Sequence, residues 1–183
     1  SVQLWRLADG RPLLTLRAGG PVTAVAFSPA GQVLAAASAD GCLQLWRLSD
    51  GTLVRKVPVG SASECGIAFS PDGALLAAGG SGQVRVWMTN TGQELRAVNC
   101  PAAVVPAVLF SPDGRELLAG AGDGLVRVWD LGSSRLRCAL EAGPGPVRAM
   151  ALSRSGLLVT AGAQVKLWAT STGRAVAMLE GHR

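Results

Sequence analysis

The chain has 183 residues, 49% of them hydrophobic and 16% charged, with a formal net charge of +5. That apolar content is enough for one folded domain with a real core and excludes intrinsic disorder. With Gly 24 and Pro 10 the backbone turns too often for long helices. The longest mostly apolar stretch, Cys100 to Phe110, contains Pro101 and Pro106 and falls well short of the ~20 residues a spanning helix needs, so no membrane insertion is expected. The four cysteines, Cys42, Cys65, Cys100 and Cys138, form no C-x-x-C pair, which argues against a zinc or redox centre. They read as reduced thiols and point to the cytoplasm, with the nucleus as the other compartment such thiols allow.

In chain order the sequence repeats itself with a period of about 41 residues. Trp5, Trp46, Trp87, Trp129 and Trp168 each close a short strand in which apolar and polar positions alternate, as in Val84-Arg85-Val86-Trp87 and Val126-Arg127-Val128-Trp129. A second signature precedes four of them: Phe27-Ser28-Pro29, Phe69-Ser70-Pro71, Phe110-Ser111-Pro112 and Leu152-Ser153-Arg154, each followed two residues on by Gly31, Gly73, Gly114 or Gly156. Such a glycine supplies the positive φ of a tight turn, so a hairpin is predicted at each. The runs after it, Val33 to Ala37, Leu75 to Ala78, Leu117 to Ala119 and Leu157 to Thr160, are predicted strands. Another strand follows each Trp: Leu13 to Arg17, Leu53 to Val57, Glu94 to Val98, Arg135 to Leu140 and Ala175 to Leu179. Four strands, lettered a to d, make one unit. The chain reads c-d and then a-b-c-d four times, an all-β protein.

The F-S-P-D-G turns at Phe69 to Gly73 and Phe110 to Gly114, the V-R-V-W strands, Trp129-Asp130 and Gly181-His182 resemble the WD40 repeats of a β-propeller. The resemblance covers the whole chain and implies a half blade, strands c-d, at 1–20 and four blades at 21–60, 61–100, 101–142 and 143–183. Propellers of that family usually close with seven blades, so the 183 residues are expected to be part of a larger propeller whose remainder, or a second copy, covers the outer blade faces. In many WD40 repeats a buried network joins the His of a Gly-His pair, a hydroxyl, the Asp of the b-c turn and the Trp. Gly19-Gly20, Val59-Gly60, Asn99-Cys100 and Ala142-Gly143 stand where Gly-His would, and the turn Asp remains as Asp40 and Asp123. Without an imidazole, those two carboxylates are expected to bond turn amides or to lie partly exposed.

The only histidine is His182, so no Ser/His/Asp or Cys/His arrangement assembles within the chain and no enzymatic activity is expected. No Gly-Lys pair marks a P-loop, and no cofactor, metal or small-molecule substrate is implied. All eight aromatics, Phe27, Phe69 and Phe110 with the five tryptophans, occupy two positions of the repeat and are assigned to the core. That leaves none for stacking bases or caging methyl-lysine, and makes nucleic acid an unlikely partner. Many cations, among them Arg11, Arg55, Lys56, Arg96, Arg135, Arg137 and Arg174, fall on or beside strand d, where charge blocks edge-to-edge aggregation. A basic rim is also compatible with an acidic polymer.

What remains is a protein-interaction scaffold. The resemblance implies that partner peptides meet the d-a and b-c loops. Those positions are Thr23, Glu64, Cys65, Val105, Pro106 and Arg148 where strand a begins, with Arg17, Asp40, Ser81, Asp123 and Glu141 nearby. Two alternatives stand beside it: the ligand-sensing repeats of a larger enzyme or signalling ATPase, and a rim that binds acidic cytoskeletal polymer or nucleic acid. The Ala/Arg-rich repeats with degenerate Gly-His pairs also resemble large WD40 proteins of centrioles and cilia, which would imply a cytoskeletal location.

Overall fold

A computed structural model describes residues 1–60, 65–80 and 82–179, and all of its regular elements are strands. The first sheet has two strands, β1 (Val2–Trp5) and β2 (Pro12–Leu16). The second comprises β3 (Val22–Phe27), β4 (Val33–Ser38), β5 (Cys42–Arg47) and β6 (Leu53–Pro58). The third comprises β7 (Ile67–Phe69), β8 (Leu75–Gly79), β9 (Gln83–Met88) and β10 (Glu94–Asn99). The fourth holds β11 (Ala107–Phe110), β12 (Glu116–Gly120), β13 (Leu125–Asp130) and β14 (Leu136–Glu141); the fifth holds β15 (Ala149–Leu152), β16 (Leu157–Ala161), β17 (Val165–Ala169) and β18 (Arg174–Leu179). Each four-stranded sheet is an antiparallel meander in chain order. Strand ends differ from the predicted ones by a residue or so, as at Pro12–Leu16 and Leu136–Glu141.

The turns after the first strand of each four-stranded sheet form because a serine side chain replaces a missing strand partner. Ser28, Ser70, Ser111 and Ser153 Oγ accept the amide N–H of Val33, Leu75, Glu116 and Leu157 at 3.0, 2.9, 2.8 and 3.0 Å. In two repeats an aspartate locks the turn further: Ser70 Oγ donates to Asp72 at 2.5 Å and Ser111 Oγ to Asp113 at 2.6 Å. Asp72 and Asp113 also accept the amides of Ala74 and Arg115. These local bonds explain why the motif reads so clearly in the sequence.

The core is divided among the seams between successive sheets, as expected of stacked repeats. Trp46 packs with Leu16, Leu34 and Ala36 against the first sheet. Trp87 packs with Leu43, Leu45 and Val57 between the second and third sheets. Trp129 and Phe110 pack against Val84, Val86 and Val98 between the third and fourth. Trp168 and Leu158 pack against Val126, Val128 and Leu140 between the fourth and fifth. In each seam the tryptophan comes from the later sheet. The first strands of neighbouring sheets also touch, β3 with β7, β7 with β11 and β11 with β15. That approach is tight at the third and fourth sheets: a Cβ on Gly66 would stand 2.6 Å from the carbonyl oxygen of Pro106, and one on Gly79 2.5 Å from that of Val105.

The core assignment of two aromatics needs correction. Trp46, Trp87, Trp129, Trp168 and Phe110 are buried and Phe69 is half-buried, but Trp5 is 52% and Phe27 59% exposed. Phe27 faces the first sheet, which supplies two outer strands and no inner pair to cover it. Trp5 lies on the face of that sheet turned away from the second, where no described strand packs. The repeat position specifies the direction of the side chain, and the neighbouring sheet decides its burial.

Candidate functional site

The expected partner-binding residues separate into surface and interior groups. Arg17, Thr23, Asp40, Asp123, Glu141 and Arg148 are exposed and Pro106 is half-buried. Cys65 and Val105 must be withdrawn from the surface, because they are 7% and 0% exposed. The two residues form a parallel bridge between the third and fourth sheets, a long-range pairing that no local pattern announces. Burial pushes the Cys65 thiol up to about 12, so it stays protonated and packs as an apolar group. Glu64 and Ser81 lie outside the described residues.

The b-c turns carry most of the electrostatics. In the second sheet Asp40 Oδ1 accepts the Cys42 amide at 3.3 Å and the Ser38 hydroxyl, while Oδ2 lies 3.7 Å from Lys56 Nζ. The Ser38 bond, against some desolvation and with help from the Cys42 amide and Lys56, holds this carboxyl below its ordinary range. Gly19 abuts the same carboxylate: a Cβ there would stand 3.0 Å from Asp40 Oδ2. Glycine at this position therefore leaves room for the acid. Beside it Gln44 is 4% exposed and its Oε1 has no partner among the described residues.

In the fourth sheet the missing imidazole has a substitute. Arg127, in the middle of β13, lies 8% exposed and grips Asp123 with both terminal nitrogens, Nη1 to Oδ1 at 3.2 Å and Nη2 to Oδ2 at 2.6 Å. Asp123 Oδ1 also accepts the Leu125 amide at 3.2 Å. Burial works to raise the Asp123 carboxyl, but the two Arg127 bonds and the amide outweigh it and leave it below its usual range. Arg127 Nη1 reaches Cys100 Sγ at 3.9 Å, and Cys100 occupies the position of the absent histidine. The guanidinium thus arrives from strand c of its own sheet instead of from the preceding loop. A cation at Arg85, Arg127 and Lys166 of the alternating strands was the available signal, although an alternating polar residue is usually solvent-facing.

The hydroxyl link of that network occurs once among the described residues. Thr160 Oγ1 accepts the Trp168 indole N–H at 3.0 Å, with Thr160 fully buried. By strand register, Ala36, Ala78 and Ala119 hold the same place beside the other tryptophans, so those seams rely on packing. Between the fourth and fifth sheets the loop face opens into a cleft of about 520 Å³ lined by Asp123, Glu141, Gln164 and Lys166. Lys166 Nζ donates to the Glu141 carbonyl at 3.0 Å and sits 5.8 Å from the Trp168 ring centroid. The arrangement offers polar groups of both signs in a shallow recess, suited to a peptide backbone and its side chains.

The outer rim behaves differently. Arg55 donates through Nε and Nη2 to the Asn90 carbonyl of the third sheet, Nε at 3.1 Å. Arg96 Nη1 donates to Ser134 Oγ of the fourth at 3.0 Å, and Arg137 pairs with Glu116. Two of these arginines are therefore straps between sheets. Ser134 holds φ 58° where Gly10, Gly51, Gly92 and Gly173 hold the same turn in the other repeats, a conformation that costs a residue with a Cβ on the order of 1 kcal/mol.

Four-stranded meanders stacked with a tryptophan at every seam define a set of propeller blades. The family comparison agrees: residues 10–47, 55–88 and 92–130 match the WD domain, G-beta repeat (WD40). The chain belongs to the WD40-repeat family, whose repeats generally mediate protein–protein interaction. The fifth sheet lies beyond the matched segments yet keeps the same strand order and the same tryptophan packing. A search of the curated proteins finds no match.

Proposed function

We propose that the chain is a non-catalytic interaction scaffold that holds a protein or peptide partner on the loop face carrying Arg17, Thr23, Asp40, Pro106, Asp123, Glu141 and Arg148, within a larger assembly. The observation that carries this reading is the cleft between the fourth and fifth sheets, where Asp123 and Glu141 line a recess beside Lys166. Exposed charges on rigid strand ends are well placed for recognition, since the core aromatics already hold the sheets together. The four free cysteines support a cytoplasmic setting.

The test is affinity capture from cell extract with the full chain and with the paired variant Glu141→Lys, Arg148→Glu. Proteins retained by the parent and lost by a variant of unchanged thermal melt are expected. Equal retention of every captured protein by both would overturn the assignment of this face.

A further inference from the structure

A second surface lies on the opposite loop face, where the a-b and c-d turns of the second and third sheets meet. A cleft of about 610 Å³ opens there, walled by Leu45, Val54, Leu75, Met88 and Leu95. Thr89 is among its lining residues. Leu48, Thr89, Leu131 and Thr170 each stand two places after a tryptophan and donate the same backbone bond, to Gln32, Ala74, Arg115 and Gly156. Leu48 and Leu131 fill their seams, Leu131 to 7% exposure. Thr170 turns its hydroxyl to the Gly156 carbonyl at 2.8 Å. Thr89 is shorter than leucine, and its Oγ1 is buried with no partner among the described residues, so this seam lacks the leucine that fills the space at Leu48 and Leu131.

The charged side chains that line the opening are arginines. A second cleft of about 560 Å³ shares Val33 and Val54 with the first, so the groove is elongated and follows the rim past Arg47 and Leu48. Among the described residues its lining includes Arg55 and Arg47 and no acidic side chain. Arg47 is paired with Asp50 at 3.0 Å. Arg55 bonds a carbonyl and pairs with no carboxylate among the described residues, whereas Arg137 on the rim of the fourth sheet is paired with Glu116. An elongated apolar trough with an unneutralised guanidinium at its lip fits a chain segment better than a compact molecule.

We propose that this groove docks an extended peptide segment, seating a bulky apolar side chain over Thr89 and an adjoining carboxylate on Arg55. It is a second interaction surface, independent of the loop face described above. Fluorescence anisotropy with short labelled peptides, in which leucine or phenylalanine alternates with glutamate, serine or lysine, tests it on the full chain. The glutamate series should bind about tenfold more tightly than the lysine series. Thr89→Leu should weaken that binding by about tenfold or more while melting no lower than the parent. Arg55→Glu should reverse the order of the two series, and Glu141→Lys with Arg148→Glu should leave all of it unchanged. Absence of binding by every glutamate peptide, equal binding of the lysine series, or full binding by Thr89→Leu would each overturn the proposal.

Discussion

Phe110 and Phe27 occupy the same place in the repeat, yet one is 8% and the other 59% exposed. The seam between the third and fourth sheets closes over Phe110 with Val84, Val86 and Val98, whereas the two-stranded first sheet leaves Phe27 and Val25 bare. Trp129 and Trp5 repeat the contrast, at 3% and 52%. An aromatic in this architecture is therefore a knob, and its contribution to stability resides in the hole of the adjoining sheet. Sequence position alone assigns the knob and is silent on the hole.

The largest break in that contrast should come from Trp87→Ala, which empties a seam and is expected to cost about 3–5 kcal/mol in a denaturant melt. A loss below about 1 kcal/mol would mean that the seam carries little of the stability. Next comes Asp123→Asn, which leaves the Arg127 guanidinium buried without its counter-charge. Breaking a buried pair costs roughly 3–5 kcal/mol, and partial exposure of Asp123 lowers the expectation to about 2. Because the folded carboxyl titrates below its usual range, the pair stabilises the fold above about pH 4 and loses that stabilisation as pH falls through the depressed folded value. The gap between parent and variant should therefore narrow in acid melts, and a gap unchanged by acid would contradict the ion pair. Smallest of all is Trp5→Ala, expected within about 0.5 kcal/mol of the parent; a loss as large as that of Trp87→Ala would erase the distinction between the two regions.

The blades were legible because their determinants are local. Ser70-Pro71-Asp72-Gly73 closes its own turn through three side-chain bonds, and the period-two strands ending in Trp carry their register with them. The expectation that Asp40 and Asp123 bond turn amides also holds, for the same reason: the amides lie two residues away. What escaped the sequence depends on contact between sheets. Cys65 and Val105 looked like loop residues because their parallel bridge joins segments forty residues apart. Arg127 looked solvent-facing because the alternation rule assigns alternate residues to opposite faces and does not show that the near face is a seam. Thr89 gave no signal alone; it became informative once Leu48 and Leu131 were seen to fill the equivalent space.

Hydrogen exchange followed strand by strand across the full chain tests most directly whether stability is lent by neighbouring sheets. Amides of β8, β9, β12 and β13, which have a four-stranded sheet on both sides, should exchange slowest, and those of β1 and β2 fastest. Uniform protection from β1 to β18 would contradict it, since each sheet would then hold its structure without regard to what packs against it.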